Sequence, residues 1–401
     1  MTSSTGDAAA KPRIDLAEFT IATVAGLALA FTTLFLCVVP IAGDIAGARD
    51  FVVFWATGQQ LVHHADPYDA AAMRRIELSA GLNSHYPVLF MRNPPWALPL
   101  ALPLGLVGLR LGAFLWSLMI VASLIASVRF LWQMHGRPAN RLHWIGLSFG
   151  PALVCAMMGQ SSVFALLGYV LFLYLYRTRP FLAGMSLWLC ALKPHLLIPF
   201  GVVLLAWIVY SRSYKIFAGA AVALAASCAL AYLLDPTAWG DYSKMMHAAR
   251  LEKEYIPCLI VVLRLWLSPQ SMWLQYLAPL LGCVWALAYF WTRRQAWDWS
   301  RHGNLVVLVS LVAAPYSWVY DGGLAIPALL QGAYLTRSRL LLIVLAIASV
   351  MIEVELVAGV KVTSALYLWT VPGWFAWYLI ACATAGKPAV SQPQAPENAS
   401  V

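Results

Sequence analysis

Charge is what this chain has least of. Only 11% of its 401 residues are Asp, Glu, Lys or Arg, against about 25% in an ordinary soluble domain. That shortage excludes a soluble globular fold of this length. Cysteine offers no alternative framework. The seven cysteines, Cys37, Cys155, Cys190, Cys228, Cys258, Cys283 and Cys382, fall in or beside apolar segments. None forms a Cys-x-x-Cys pair, so they read as small packing residues, not zinc ligands or a disulfide scaffold. Alternating ten-residue segments do not dominate, which argues against a membrane β-barrel.

What fills the chain instead is apolar: 62% of residues are hydrophobic and the mean hydropathy is +0.74. Apolar runs of about 17–25 residues recur from end to end, the length a helix needs to cross a bilayer. The expected fold class is an all-α polytopic membrane protein with about 10–12 transmembrane helices. The spans lie roughly at 17–39, 109–131, 143–158, 161–176, 180–193, 196–210, 214–234, 272–292, 303–320, 322–336, 339–357 and 363–384. The first apolar run, Ile21 to Val39, is too long for a signal-peptide core and reads as a retained span. Pro94, Pro95, Pro99 and Pro103 make 94–107 a poor spanning helix. It is expected as a surface or re-entrant piece, as is Ile256 to Leu267 between Pro257 and Pro269. The whole chain reads as one domain, with polar tails at 1–14 and 387–401 expected to be disordered and outer loops at 40–108 and 235–271.

The net charge of +9 would suggest nucleic acid in a soluble protein. Here the basic residues sit in short loops between spans, as the positive-inside rule expects. With the N-terminus in the cytoplasm, the inner side holds more than half of the 26 lysines and arginines but fewer than a third of the 17 acids. Counting 94–107 as a span would reverse every later loop and spoil that bias.

The same threading gathers polar residues on the outer side. Arg49, Asp50, Asp66, Asp69, Arg92 and Asn93 come from the first loop. Gln160 comes from the turn Met158-Gly159-Gln160-Ser161, and Lys193 and His195 from Leu192-Lys193-Pro194-His195. Asp235, Asp241, Lys244, His247 and Arg250 come from the second loop, and Asp321 follows Trp318. Lys193 and Asp321 stand out, because each lies between short apolar runs where a charge is costly and is by default functional. A snorkelling side chain or a private ion pair is the plainer reading of each. Asp66-Pro67-Tyr68-Asp69 has the form of a turn and helix start, with aspartate as cap and proline at the first helical position.

In order and spacing these segments resemble glycosyltransferase family 87, of the GT-C superfamily. They are Asp50-Phe51-Val52-Val53-Phe54-Trp55, Asp66-Pro67-Tyr68-Asp69, Asn93-Pro94-Pro95, Gly159-Gln160, Leu192-Lys193-Pro194, and Ser317-Trp318 with Asp321. Members include polyprenyl-phosphate-mannose-dependent mannosyltransferases. The resemblance implies a GT-C fold with juxtamembrane helices in the first outer loop and a catalytic aspartate at its start, here Asp50. It also implies a polyprenyl-phosphate sugar donor and inversion at the anomeric carbon. The setting it implies is a bacterial inner membrane, with both termini cytoplasmic and the active site periplasmic. Two departures leave the acceptor open: Met158 stands where many members have Asn, and Val319-Tyr320 where many have His-His.

On this reading Asp50 takes the proton from the acceptor hydroxyl. Lys193, with His195, Arg92 and Arg250 behind it, meets the leaving lipid phosphate. Asp66, Asp69, Asn93, Gln160, Trp318 and Asp321 are candidates for sugar or acceptor contacts. The donor brings its own activation, so no cofactor and no metal are expected. The expected partners are the lipid-phosphate donor, a lipid or glycan acceptor and membrane lipid, with no nucleic acid. The rival is a secondary transporter or lipid flippase, which also has many spans, broken helices and buried charges.

Overall fold

The structure is a computed structural model that describes residues 49–82, 88–248, 254–336 and 338–385, with a few positions between 23 and 32. Most of the proposed first span, both tails, and Arg250 lie outside the described residues.

Every regular element among them is helical, and there is no strand. Among the described residues six helices are long and apolar enough to cross a membrane. With their lead-in turns they run over 109–134, 194–211, 214–234, 273–296, 339–357 and 365–383. The protein is therefore an all-α polytopic membrane protein. Its outer surface fits that solvent: Leu233 is 77% exposed and Trp266 79%, positions that water would penalise and lipid tails do not.

In chain order the elements that matter are α1 (Arg49–Val62), α2 (Ala70–Ser79), α3 (Leu98–Gly105), α4 (Leu109–Met134), α5 (Gly150–Met158), α6 (Ser162–Leu175), α7 (Pro180–Cys190), α8 (Ile198–Ser211), α9 (Tyr214–Leu234), α10 (Ala238–Ala248), α11 (Leu259–Leu267), α12 (Trp273–Arg293), α13 (Asn304–Val312), α14 (Ile326–Leu335), α15 (Arg339–Val357) and α16 (Thr370–Ala383). Helix α6 is the centre of the core. Val163, Phe164, Ala165, Leu166, Tyr169 and Val170 on it are all buried, as expected of a helix that is apolar all round. It packs against α4 on one side and α7 on the other, and α7 in turn packs on α9.

The proline-rich run 94–107 does not span. Pro95–Ala97 is a single 3-10 turn and α3 is only eight residues long. At about 1.5 Å per residue such a helix covers less than half the hydrocarbon core. It lies along α1, and the contact is close because two glycines face each other. A side chain on Gly58 would run into the Ala101 carbonyl oxygen, and one on Gly105 would run into the Gly58 oxygen. Ile256 to Leu267 likewise yields only the nine-residue α11.

Two expected spans are interrupted: 143–158 breaks at Ser148 and Phe149, and 303–320 ends early. The run 303–320 stays helical only to Val312. Pro315 disfavours helix at the residue before it and supplies no N–H, and the chain resumes as a 3-10 segment at Val319–Ala325. That interruption creates the place where Asp321 sits.

Two loop meetings agree with the charge-based grouping of loops. Arg177 pairs with Asp298 at 2.7 Å, and His143 and Asn140 both meet the Tyr334 hydroxyl at 2.8 Å. Arg177, Asp298, Asn140 and His143 lie in loops, and Tyr334 at the end of α14, all of which the basic residues assign to one side.

Candidate active site

Asp50 is the second residue of α1 and is half-buried. A helix N-terminus favours a carboxylate there, because its first N–H groups have no partners within the helix. The Gln160 side-chain amide donates to Asp50 Oδ2 at 2.9 Å.

Gln160 is aimed by the turn before it. Helix α5 ends at Gly159, whose φ of 74° lies in the left-handed region. A side chain there would also stand 2.7 Å from Phe51 Cβ, so glycine is required on two counts. The indole of Trp116 on α4 donates to the Gly159 carbonyl at 2.7 Å. The turn is thus clamped between α1 and α4, and Gln160 follows directly from it.

Beyond Gln160 the network runs into the protein. Lys193 Nζ donates to Gln160 Oε1 at 3.1 Å, to Ser162 Oγ at 2.8 Å and to Asp321 Oδ1 at 2.8 Å. These three bonds use all three ammonium donors. Ser162 also donates to Asp321 Oδ1 at 2.5 Å, and the Trp318 backbone N–H caps Asp321 Oδ2 at 2.8 Å. Asp321 is fully buried and Lys193 is 8% exposed. The Lys193 ammonium also lies 4.8 Å from the centre of the Tyr320 ring, an attractive cation–π placement. The result is one chain: Asp50, Gln160, Lys193, Asp321. The amide orientation follows from charge, with its NH2 toward a carboxylate and its oxygen toward an ammonium.

A buried ion pair survives only when its spare hydrogen-bonding positions are filled, and here they are. The plainer reading of Lys193 and Asp321 as a private pair is half right. They pair with each other, yet the pair also reaches through Gln160 to Asp50.

Other candidates fall into distinct places. Asn93 donates to the Leu192 carbonyl at 2.8 Å and to Ser161 Oγ at 3.4 Å. Trp96 donates to the Ala191 carbonyl at 2.9 Å. Together they staple the first loop to the backbone just before Lys193. His195 stacks on Tyr316, with ring centres 4.1 Å apart. Trp318 stacks beside Tyr320 at 6.1 Å. Arg92 is exposed and pairs with Glu254 at 2.7 Å, joining the two outer loops. Asp69 caps α2 by accepting from the Ala71 and Ala72 amides, as its turn-and-cap pattern suggested. Asp66 stands apart from the Asp50 chain, beside Asp235 and Asp241. Ser162 and Tyr320 were not singled out from sequence as members of the network; only their position after Gly159-Gln160 and next to Asp321 hinted at it.

A polytopic helical membrane protein with a half-buried carboxylate wired to a buried ion pair has the makings of a membrane-embedded enzyme. The sequence model of glycosyltransferase family 87 matches residues 90–315, more than half of the chain. The chain belongs to glycosyltransferase family 87, and is a glycosyltransferase. The matched region takes in Arg92, Asn93, Gln160, Lys193 and His195, while Asp50, Asp66, Asp69, Trp318 and Asp321 lie outside it. No curated protein matches the chain. No solved structure matches it either.

Proposed function

We propose that this glycosyltransferase moves a hexose, mannose by preference, from a polyprenyl-phosphate donor to a lipid-linked or glycan acceptor, with inversion at the anomeric carbon. The bond between the anomeric carbon and the phosphate oxygen breaks as the acceptor oxygen attacks from the opposite side. Asp50 takes the acceptor's proton, and the departing lipid phosphate keeps the electron pair. The observation that carries the reading is the tie between Asp50 and Gln160 in a member of this family. A carboxylate at the edge of the apolar core, oriented by an amide, is what a general base for a hydroxyl needs.

Lys193 is the proposed cation for the leaving phosphate. Its contact to Gln160 is the longest of its three, so a phosphate oxygen can replace that contact without breaking the pair with Asp321. His195 and Arg92 flank the approach, with Arg250 a further candidate. Asn93, Trp318 and Asp321 shape the sugar site through the loops they hold. We place this site on the periplasmic face of a bacterial inner membrane, in a GT-C-type single domain with both termini cytoplasmic. The clustering of basic loops supports that orientation. Family membership favours transfer over the transporter reading.

Membranes containing the protein, supplied with labelled polyprenyl-phosphate mannose, are expected to pass label into a new lipid or glycan. Labelled nucleotide sugar, with synthesis of the lipid donor blocked, is expected to give none. Transfer from the nucleotide sugar under that block would refute the donor assignment.

A further inference from the structure

A second cluster of acids lies outside the proposed transfer chemistry. Asp66 follows α1, Asp235 ends α9 and Asp241 is in the first turn of α10. One carboxylate oxygen from each comes within 4.8 Å of the other two. Such spacing suits three ligands around one ion at about 2.4 Å, the calcium–oxygen distance.

Three aspartates this close repel unless something cationic lies among them. Among the described residues the one ammonium at hand is Lys244, which bonds Asp241 Oδ1 at 2.7 Å with a side chain that is 80% exposed. Among the described residues the other two acids get only neutral donors. Asp66 Oδ1 accepts from the Tyr68 amide at 2.7 Å. Asp235 Oδ1 accepts from the Thr237 amide and hydroxyl at 2.9 and 2.8 Å. Partial desolvation of the exposed Asp66 side chain, together with Asp241, Asp235 and Asp69, holds its carboxyl above its ordinary range, against the pull of the Tyr68 amide.

Two further oxygens point to a ligand. Asp235 Oδ2 is buried and accepts no hydrogen bond. The Tyr68 hydroxyl is likewise buried without a partner, on a residue only 6% exposed. Its ring packs edge-on to Tyr242 of α10 at 5.8 Å, and the charges of Asp235, Asp66 and Asp241 all act on it. A buried hydroxyl and a buried carboxylate oxygen left unpaired are costly, and one ion among them would satisfy both.

The structure assigns Asp66, Asp235 and Asp241, with the Tyr68 hydroxyl, as a binding site for a hard divalent cation of the calcium class. All the donor atoms are oxygen, three of them anionic, with no thiolate or imidazole; that set selects Ca2+ over zinc or copper. The ligands are scattered through the sequence, so no spacing motif announces them. The ion would clamp the first outer loop to the junction of α9 and α10. That junction already meets the same loop through the Tyr242 hydroxyl, which donates to the Arg92 carbonyl at 3.2 Å. The role is architectural and independent of the donor sugar.

The test is 45Ca2+ equilibrium dialysis on purified, chelator-stripped protein, with thermal unfolding followed in parallel. About one Ca2+ per chain is expected, with a saturable rise in Tm. Asp66→Asn is expected to bind at least tenfold more weakly, as is Asp235→Asn. Asp66 is exposed, so its variant reports even if Asp235→Asn misfolds. Lys244→Gln, which removes the competing ammonium, is expected to bind more tightly than wild type. Absence of saturable binding, or binding that Asp66→Asn leaves unchanged, would overturn the assignment.

Discussion

At the scale of single residues, the account turns on who touches whom between Asp50 and Asp321. Gln160 is a positioning residue, and its amide bond to a carboxylate is worth about 1.5–3 kcal/mol. Gln160→Ala is therefore expected to lower the rate of transfer about ten- to hundredfold with the protein still folded. Gln160→Glu is expected to lose more, since it sets an oxygen against Asp50 where an N–H2 now stands. Steady-state transfer assays on both variants decide this, and full activity in Gln160→Glu would contradict the network. Lys193 and Asp321 give a different signature. Removing one partner leaves a buried charge and costs about 3–5 kcal/mol. Lys193→Met is thus expected to unfold at clearly lower temperature, and adding Asp321→Asn is expected to restore part of the loss. Additive losses in the double variant would show that the two side chains are not coupled.

At the scale of elements, the site depends on helices that stop early. Helices α5 and α6 are separated by Gly159, Gln160 and Ser161, and α13 stops before Pro315. Each break delivers a polar side chain to the interior while nearby donors absorb the freed backbone groups. Gly159→Ala is expected to destabilise the protein by about 1–2 kcal/mol from the left-handed backbone alone, and by more through its contact with Phe51. A thermal melt equal to wild type would refute the clamp. The breaks were partly legible beforehand. Lys193 and Asp321 stood between apolar runs, and Gly159 marked a turn, so charged junctions could be foreseen. Their partnership could not: the residues are 128 apart in sequence, and no periodicity encodes which junction meets which. Ser162 looked like any serine at a helix start. The early end of α13 was missed because Ala313 and Ala314 keep the run apolar although it leaves the helix.

At the scale of the whole molecule, the apolar pattern revealed the fold class and most helix limits; α9 and α15 coincide with their expected ranges. Sidedness rests on charge alone, and the meeting of Arg177 with Asp298 supports it only by placing two such loops together. Cysteine scanning tests it. A cysteine in place of Lys244 is expected to react with a membrane-impermeant maleimide in intact cells, and one in place of Arg294 only after the membrane is opened. The reverse pattern would turn the protein over and move the proposed site to the cytoplasm. The acidic cluster belongs to this scale too, since its members become neighbours only when two outer loops fold together.

The central claim is that Asp50 is the base. The most direct measurement is transfer from labelled polyprenyl-phosphate mannose by wild type, Asp50→Asn and Asp50→Glu at equal membrane levels. The account predicts that Asp50→Asn loses at least about 10²–10⁴-fold in rate while its melting temperature and donor binding stay near wild type. Asp50→Glu is expected to keep a small residual rate. A folded Asp50→Asn enzyme that transfers sugar at a rate comparable to wild type would contradict the account.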